Sequence, residues 1–234
     1  MSKLAQVLSD LKNAGIEIAL VTSGAIGVAV GKLGLKERPK DTPGRQAAAC
    51  IGQCELMFMY DKFFSEYSHT IGQLLITKSD VENDERRNNL INAFNTMFEY
   101  GAIPIVNEND SVAVEEIVYG DNDSLSAIVA KLIGADALVI LTDIDGLFDG
   151  NPQENPEARL IPVVDEITPE IKALAGDAGT NRGTGGMITK LNAAEIATNA
   201  GIDTVIMSGT DPKEIYKLVD GHQTGTFFVG KKEN

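Results

Sequence analysis

The sequence predicts an α/β protein, a three-layer αβα sandwich with a mostly parallel central sheet. Three observations carry that prediction. Segments of helical period alternate with short apolar runs along the whole chain. The runs are continuous in apolar residues, as strands covered on both faces are. Polar, glycine-containing clusters follow several of the runs, where ligands collect in open parallel sheets.

The elements follow in order. Leu4, Val7, Leu8 and Leu11 stand at helical spacing, and Asn13-Ala14-Gly15 closes that helix. Ile16 to Thr22 reads as a buried strand, stopped by Ser23-Gly24 before a second helix. Arg45 to Tyr67 is a long helical pattern. A strand over Thr70 to Thr77, a helix over Asp84 to Tyr100 and a strand over Ile103 to Val106 come next. Val112 to Tyr119 alternates like a hairpin arm. Ser124 to Ile133 is helical, and Ala137 to Leu141 is a buried strand. Met187 to Asn199 reads as a helix, Thr204 to Met207 as a strand and Thr226 to Val229 as a last short strand. Asn151 to Pro156 is a surface loop that marks a border between two halves holding different ligands. No covalently separate domain is evident, so residues 1–234 are read as a single domain.

Composition narrows the function. With 43% hydrophobic and 23% charged residues, the chain can bury a sizeable core. Its net charge of −14 argues against a nucleic-acid partner, which needs a basic face. Cys50 and Cys54 lie on one helical face without companion metal ligands, and read as reduced core thiols. They suit a reducing cytoplasm. The polar N-terminus is no signal peptide, and no run is long enough to span a bilayer.

Four segments carry candidate chemistry. In Val21-Thr22-Ser23-Gly24-Ala25-Ile26-Gly27 a strand enters a helix through Ser-Gly. Free N–H groups there serve an anion site or simply a capped tight turn. Asn107-Glu108-Asn109-Asp110 and Gly120-Asp121-Asn122-Asp123 are polar clusters just past apolar runs. Such side chains can grip the ammonium and carboxylate of an amino acid, although turns favour the same residues. Leu141-Thr142-Asp143 ends another buried strand. It contacts a nucleotide or makes a plain turn. Gly183-Thr184-Gly185-Gly186-Met187-Ile188-Thr189-Lys190 enters a helix, and its N–H groups can cradle phosphates. Lys190 opposes the helix dipole, an arrangement that a bound phosphate would offset.

The runs VTSGAIG, IVNENDSVA, GDNDSLSA, LTDIDGL and GTGGMITK resemble, in order and spacing, glutamate 5-kinases of the amino acid kinase family. The resemblance covers nearly the whole chain. It implies the amino acid kinase fold and ATP-dependent phosphorylation of the L-glutamate side-chain carboxylate, with Mg²⁺, as the first step towards proline. It implies that Ser23, Asp110 and Asn122 bind glutamate. Thr142 and Asp143 would contact ATP, with Thr184, Gly185, Gly186, Met187, Ile188, Thr189 and Lys190 as the nucleotide loop. Lys190 would act on the transferred phosphoryl group, organised by Asp123. A carboxylate nucleophile is already ionised at neutral pH and needs no catalytic base. Lysines, Mg²⁺ and N–H donors meet the remaining need. His69 and His222 fall outside every matching run and read as structural or surface residues. Together with composition, which argues for the cytoplasm and against membrane and nucleic-acid partners, the expectation is a homo-oligomer with no resident protein metal site and with feedback by proline.

Family members open with an apolar strand ending in Lys-Gly, and many end with an RNA-binding-like PUA domain. This sequence begins at the following helix and stops after the kinase domain. The expectation is a chain with little activity until a segment ending in Lys-Gly is restored. Two rival functions stand beside the kinase reading. One is a non-catalytic glutamate-binding or regulatory protein. The other is a sister kinase with another acidic substrate.

Overall fold

The computed structural model describes residues 1–112, 122–152, 154–176 and 186–232. The chain forms two compact units, Met1–Val118 and Tyr119–Asn234.

The first unit contains α1 (Ser2–Asn13), β1 (Leu20–Val21), α2 (Ala25–Leu33), α3 (Thr42–Ser65), β2 (Ile71–Ile76), α4 (Lys78–Glu82), α5 (Asp84–Glu99) and β3 (Ile103–Glu108). Its sheet has the order β1-β3-β2, with both pairings parallel. β3 is central and almost wholly buried, which is why its sequence is a continuous apolar run. Parallel pairing brings the carboxyl ends of all three strands to one edge. Thr22 N donates to Val106 O at 2.8 Å, and Asn109 N donates to Ile76 O at 3.1 Å. The core beneath joins Leu8, Leu56, Tyr60, Phe64, Ile103 and Ile105. Burying side chains of this size stabilises by about 1.5–3 kcal/mol each before the entropy of ordering is counted.

The second unit contains α6 (Asn122–Ile133), β4 (Ala137–Thr142), β5 (Val163–Val164), α7 (Pro169–Gly176), α8 (Met187–Asn199), β6 (Asp203–Ser208), α9 (Glu214–Val219) and β7 (Thr226–Phe228). Its sheet order is β4-β6-β7-β5. β4–β6 and β5–β7 are parallel, and β6–β7 is antiparallel. α8 packs its Leu191, Ala193, Ala194 and Ala197 into a core with Ile206 and Phe228. Small alanines let the helix approach the strands closely. The mostly parallel α/β pattern read from the sequence is present in these sheets.

Several boundaries differ from the sequence reading, each for a local reason. Ile16 does not join β1, because its N–H turns back to Leu11 O at 3.1 Å to close α1. Gly15 permits that closure with φ 91°. α3 begins at Thr42, earlier than expected, because the Asp41 side chain caps it by accepting from Gly44 N at 2.8 Å. Asn122 and Asp123 open α6 rather than lying in a strand-end turn. α4, α7, α9 and β5 are too short to show a full hydrophobic period, and the sequence pattern missed them. The hairpin arm read over Val112 to Tyr119 lies outside the described residues from position 113 onward. Cys50 and Cys54 are exposed, which corrects their reading as core thiols. α3 buries Ala49, Gly52, Gln53, Leu56 and Tyr60, and both thiols point off that stripe.

Candidate functional site

In the first unit, two strand ends present the polar residues expected to hold an amino acid. Ser23 follows β1 and is exposed, and Gly24 takes φ 99° at the start of α2. A residue with a side chain would be strained there. Asn107 and Glu108 end β3, and Asp110 follows, half-buried. Thr22 is buried and shares a 2.8 Å hydrogen bond with the Tyr60 hydroxyl, which fixes the strand just before Ser23. The desolvated Tyr60 hydroxyl has a raised pKa, so it stays protonated at neutral pH.

The electrostatics of this edge favour a cationic ligand group. Burial, with the Asp110 charge adding to it, pushes the Glu108 carboxyl up to about 7. Burial also raises Asp110, and the nearby Arg45 guanidinium partly offsets that. Two half-buried carboxyls that resist ionisation would be relieved by an ammonium group. Arg45, in the first turns of α3, supplies the opposite sign.

Glu108 makes stability depend on pH. Its folded pKa lies above the ordinary 4.5, so the folded protein holds a proton that the unfolded chain has lost. That contribution is complete below about 4.5 and disappears as pH rises through about 7. Partial exposure limits it to ~1–2 kcal/mol. Melting curves from pH 5 to pH 8 should show the protein losing stability relative to Glu108→Gln. Parallel curves for the two would contradict the assignment.

In the second unit, Asp123 and Lys190 form a close pair. Lys190 Nζ donates to Asp123 Oδ2 at 2.9 Å, and the Thr189 hydroxyl lies 2.9 Å from the same oxygen. The Lys190 and Asp123 side chains are only 11% and 17% exposed, so the cation is held in place rather than sweeping through solvent. The carboxylate also offsets the unfavourable position of Lys190 near the start of α8. Met187 is buried under this turn, Ile188 is exposed, and Gly186 caps the helix. Thr184 and Gly185 lie outside the described residues. Thr142 ends β4, and its hydroxyl donates to the exposed Asp143 carboxylate at 3.2 Å. Gly209 N donates to Thr142 O at 2.7 Å, so the ends of β4 and β6 lie side by side. Asn122 is half-buried in the first turn of α6, beside Asp123.

The structure therefore groups Ser23 and Asp110 at one sheet edge, and groups Asn122, Asp123, Thr189 and Lys190 in the second unit. Sequence reading missed Arg45, Gln53 and Tyr60. For Gln53 and Tyr60 the cue was present in α3, where polar atoms recur on its buried, otherwise apolar stripe; Arg45 is exposed.

Comparison with known proteins places the chain in a family. The amino acid kinase family model matches residues 1–208. The glutamate 5-kinase of Clostridium perfringens is 50% identical over 236 residues, covering 99% of this chain and 88% of that protein. The glutamate 5-kinase of Clostridium acetobutylicum is 52% identical over 226 residues, covering 97% of this chain and 85% of its own. Among solved structures, the carbamate kinase from Giardia lamblia bound to AMP-PNP has a TM-score of 0.68 at 15% identity, covering 97% of this chain and 89% of that one. The UMP kinase from Bacillus anthracis has a TM-score of 0.62 at 15% identity, covering 99% and 86%. The two structural likenesses concern the fold.

Proposed function

Since the chain belongs to the amino acid kinase family, and within it to the glutamate 5-kinases, we propose that it transfers a phosphoryl group from ATP to the side-chain carboxylate of L-glutamate. The products are ADP and L-glutamyl 5-phosphate, and the reaction opens a route to proline. The observation that carries this reading is identity of about half the residues over almost the full chain with glutamate 5-kinases.

The site chemistry supports it. In the proposal residues 1–234 act as one kinase domain, in which the first unit takes the amino acid and the second the nucleotide. Asp110, with Glu108 beside it, meets the ammonium group of glutamate, and Ser23 supplies a hydrogen bond; Asn122, in the second unit, is assigned to glutamate by the family resemblance alone. Thr142, Asp143 and the loop from Thr184 to Lys190 hold ATP. Lys190, kept in place by Asp123, faces charge that develops as the phosphoryl group moves. The acceptor carboxylate arrives ionised, so no proton has to be removed.

Among the described residues no group of three or more His, Cys, Asp or Glu could hold a metal alone. A Mg²⁺ that comes with the triphosphate takes few protein oxygens. When bound, the ion would supply further neutralisation of phosphate charge. A homo-oligomer, feedback by proline and a cytoplasmic location belong to the same proposal. The exposed Ile51, Cys54 and Phe58 on α3 support a covered face. Among the described residues no helix is long and apolar enough to cross a membrane.

A substrate panel tests the reading. ADP release should depend on L-glutamate and be much slower with aspartate, carbamate or UMP. Equal rates on another acceptor would remove glutamate as the substrate. In the same assay Asp110→Ala should raise the KM for glutamate by about tenfold or more, the scale of a lost charged hydrogen bond, and leave that for ATP near its starting value. Equal weakening for both ligands would mean that the substitution disturbs the fold.

A further inference from the structure

We propose that Gln53 is a positioning residue for the acidic substrate, acting through Asn107; the inference rests on the amino acid site lying at the end of β3, as described above. Gln53 is 8% exposed and Asn107 is 3% exposed. Asn107 Nδ2 donates to Gln53 Oε1 at 2.9 Å, across 54 positions of sequence. The other end of the Asn107 amide is committed as well, since its Oδ1 accepts from Glu108 N at 2.9 Å. A backbone N–H can only donate, so that bond fixes which end of the Asn107 amide is oxygen. The Nδ2 group must then face Gln53. A side chain of α3 thereby sets the amide that holds the backbone of Glu108, two residues before Asp110.

The same turn of α3 also touches the other substrate segment. Gly52 lies so close to α2 that a Cβ there would come within 1.7 Å of Ala25 O. Ala25 directly follows Ser23-Gly24. Neighbouring residues of one helix thus brace both strand ends to which the amino acid is assigned.

A filler role does not account for the amide. Gln53 Nε2 is buried and has no hydrogen-bond partner among the described residues. Burying an unmatched donor is costly, and an apolar side chain of equal shape would avoid the cost. The amide is explained by what its oxygen holds.

Gln53→Met keeps the volume and removes the acceptor. Purified in full length, it should show a KM for glutamate raised about tenfold, the scale of one lost hydrogen bond in a charged site. Its kcat and its KM for ATP should stay within about threefold, and its melting temperature should change little, because the variant removes the unmatched Gln53 Nε2 donor while Asn107 Nδ2 loses one acceptor. Gln53→Glu, which keeps an oxygen facing Asn107, should return KM to within about threefold of the parent. If Gln53→Met is insoluble, Gln53→Asn carries the test, because its shorter amide cannot reach Asn107, and the same rise in KM is expected. An unchanged KM for glutamate, or a loss confined to kcat and melting temperature, overturns the inference while leaving the kinase reading intact. A parent protein that releases no ADP on glutamate would overturn both.

Discussion

Lys190→Ala is expected to reduce turnover by about a hundredfold or more, the usual effect of losing one preorganised charge that faces the transition state. The substitution removes the cation that Asp123 holds at 2.9 Å. It also leaves a mostly buried carboxylate without its partner, which costs ~3–5 kcal/mol in stability when desolvation is complete and less here. The two effects need separate readouts. Thermal melting reports the stranded carboxylate, and steady-state kinetics below the melting transition report the lost charge. A double substitution, Lys190→Met with Asp123→Asn, should recover most of the stability and none of the turnover. Recovery of turnover in the double variant would show that Lys190 serves only to neutralise Asp123.

Gly52→Ala should be the most damaging small substitution in the first unit, costing about 3 kcal/mol or more. Glycine inside a helix normally costs about 1 kcal/mol relative to alanine, so a bare propensity argument predicts the opposite sign. The geometry decides the matter. The added methyl would sit 1.7 Å from Ala25 O, and the obstructing atoms are backbone of α2, which cannot rotate away. α2 would have to shift, carrying the Ser23-Gly24 turn with it. Gly52→Ala should therefore lower the melting temperature and weaken glutamate binding together. A variant as stable as the parent would mean that α2 and α3 have room to separate at no cost.

Much of this arrangement is legible in the sequence, and the limits have physical causes. β3 and β6 are read correctly because burial on both faces writes continuous apolar runs. The strand over Ile16 to Thr22 is overestimated because apolar content alone does not say that Ile16 closes α1. Lys190 and Asp123 are found through their motifs, but their 2.9 Å contact joins positions that no local pattern connects. Gln53 is the clearest omission. Its partner Asn107 is far away in sequence, so only the packing of α3 against β3 reveals the pair. Cys50 and Cys54 were misplaced because spacing shows that they share a face, while packing decides which face is buried.

The central claim is that phosphate moves from ATP to the side-chain carboxylate of glutamate. It is tested most directly by trapping the product with hydroxylamine, which converts an acyl phosphate into a stable hydroxamate. With ATP, Mg²⁺ and L-glutamate, the protein should form γ-glutamyl hydroxamate in step with ADP, and Lys190→Ala should suppress both together. ADP release without hydroxamate would contradict the account, since the phosphoryl group would then be passing to water or to some acceptor other than the glutamate carboxylate.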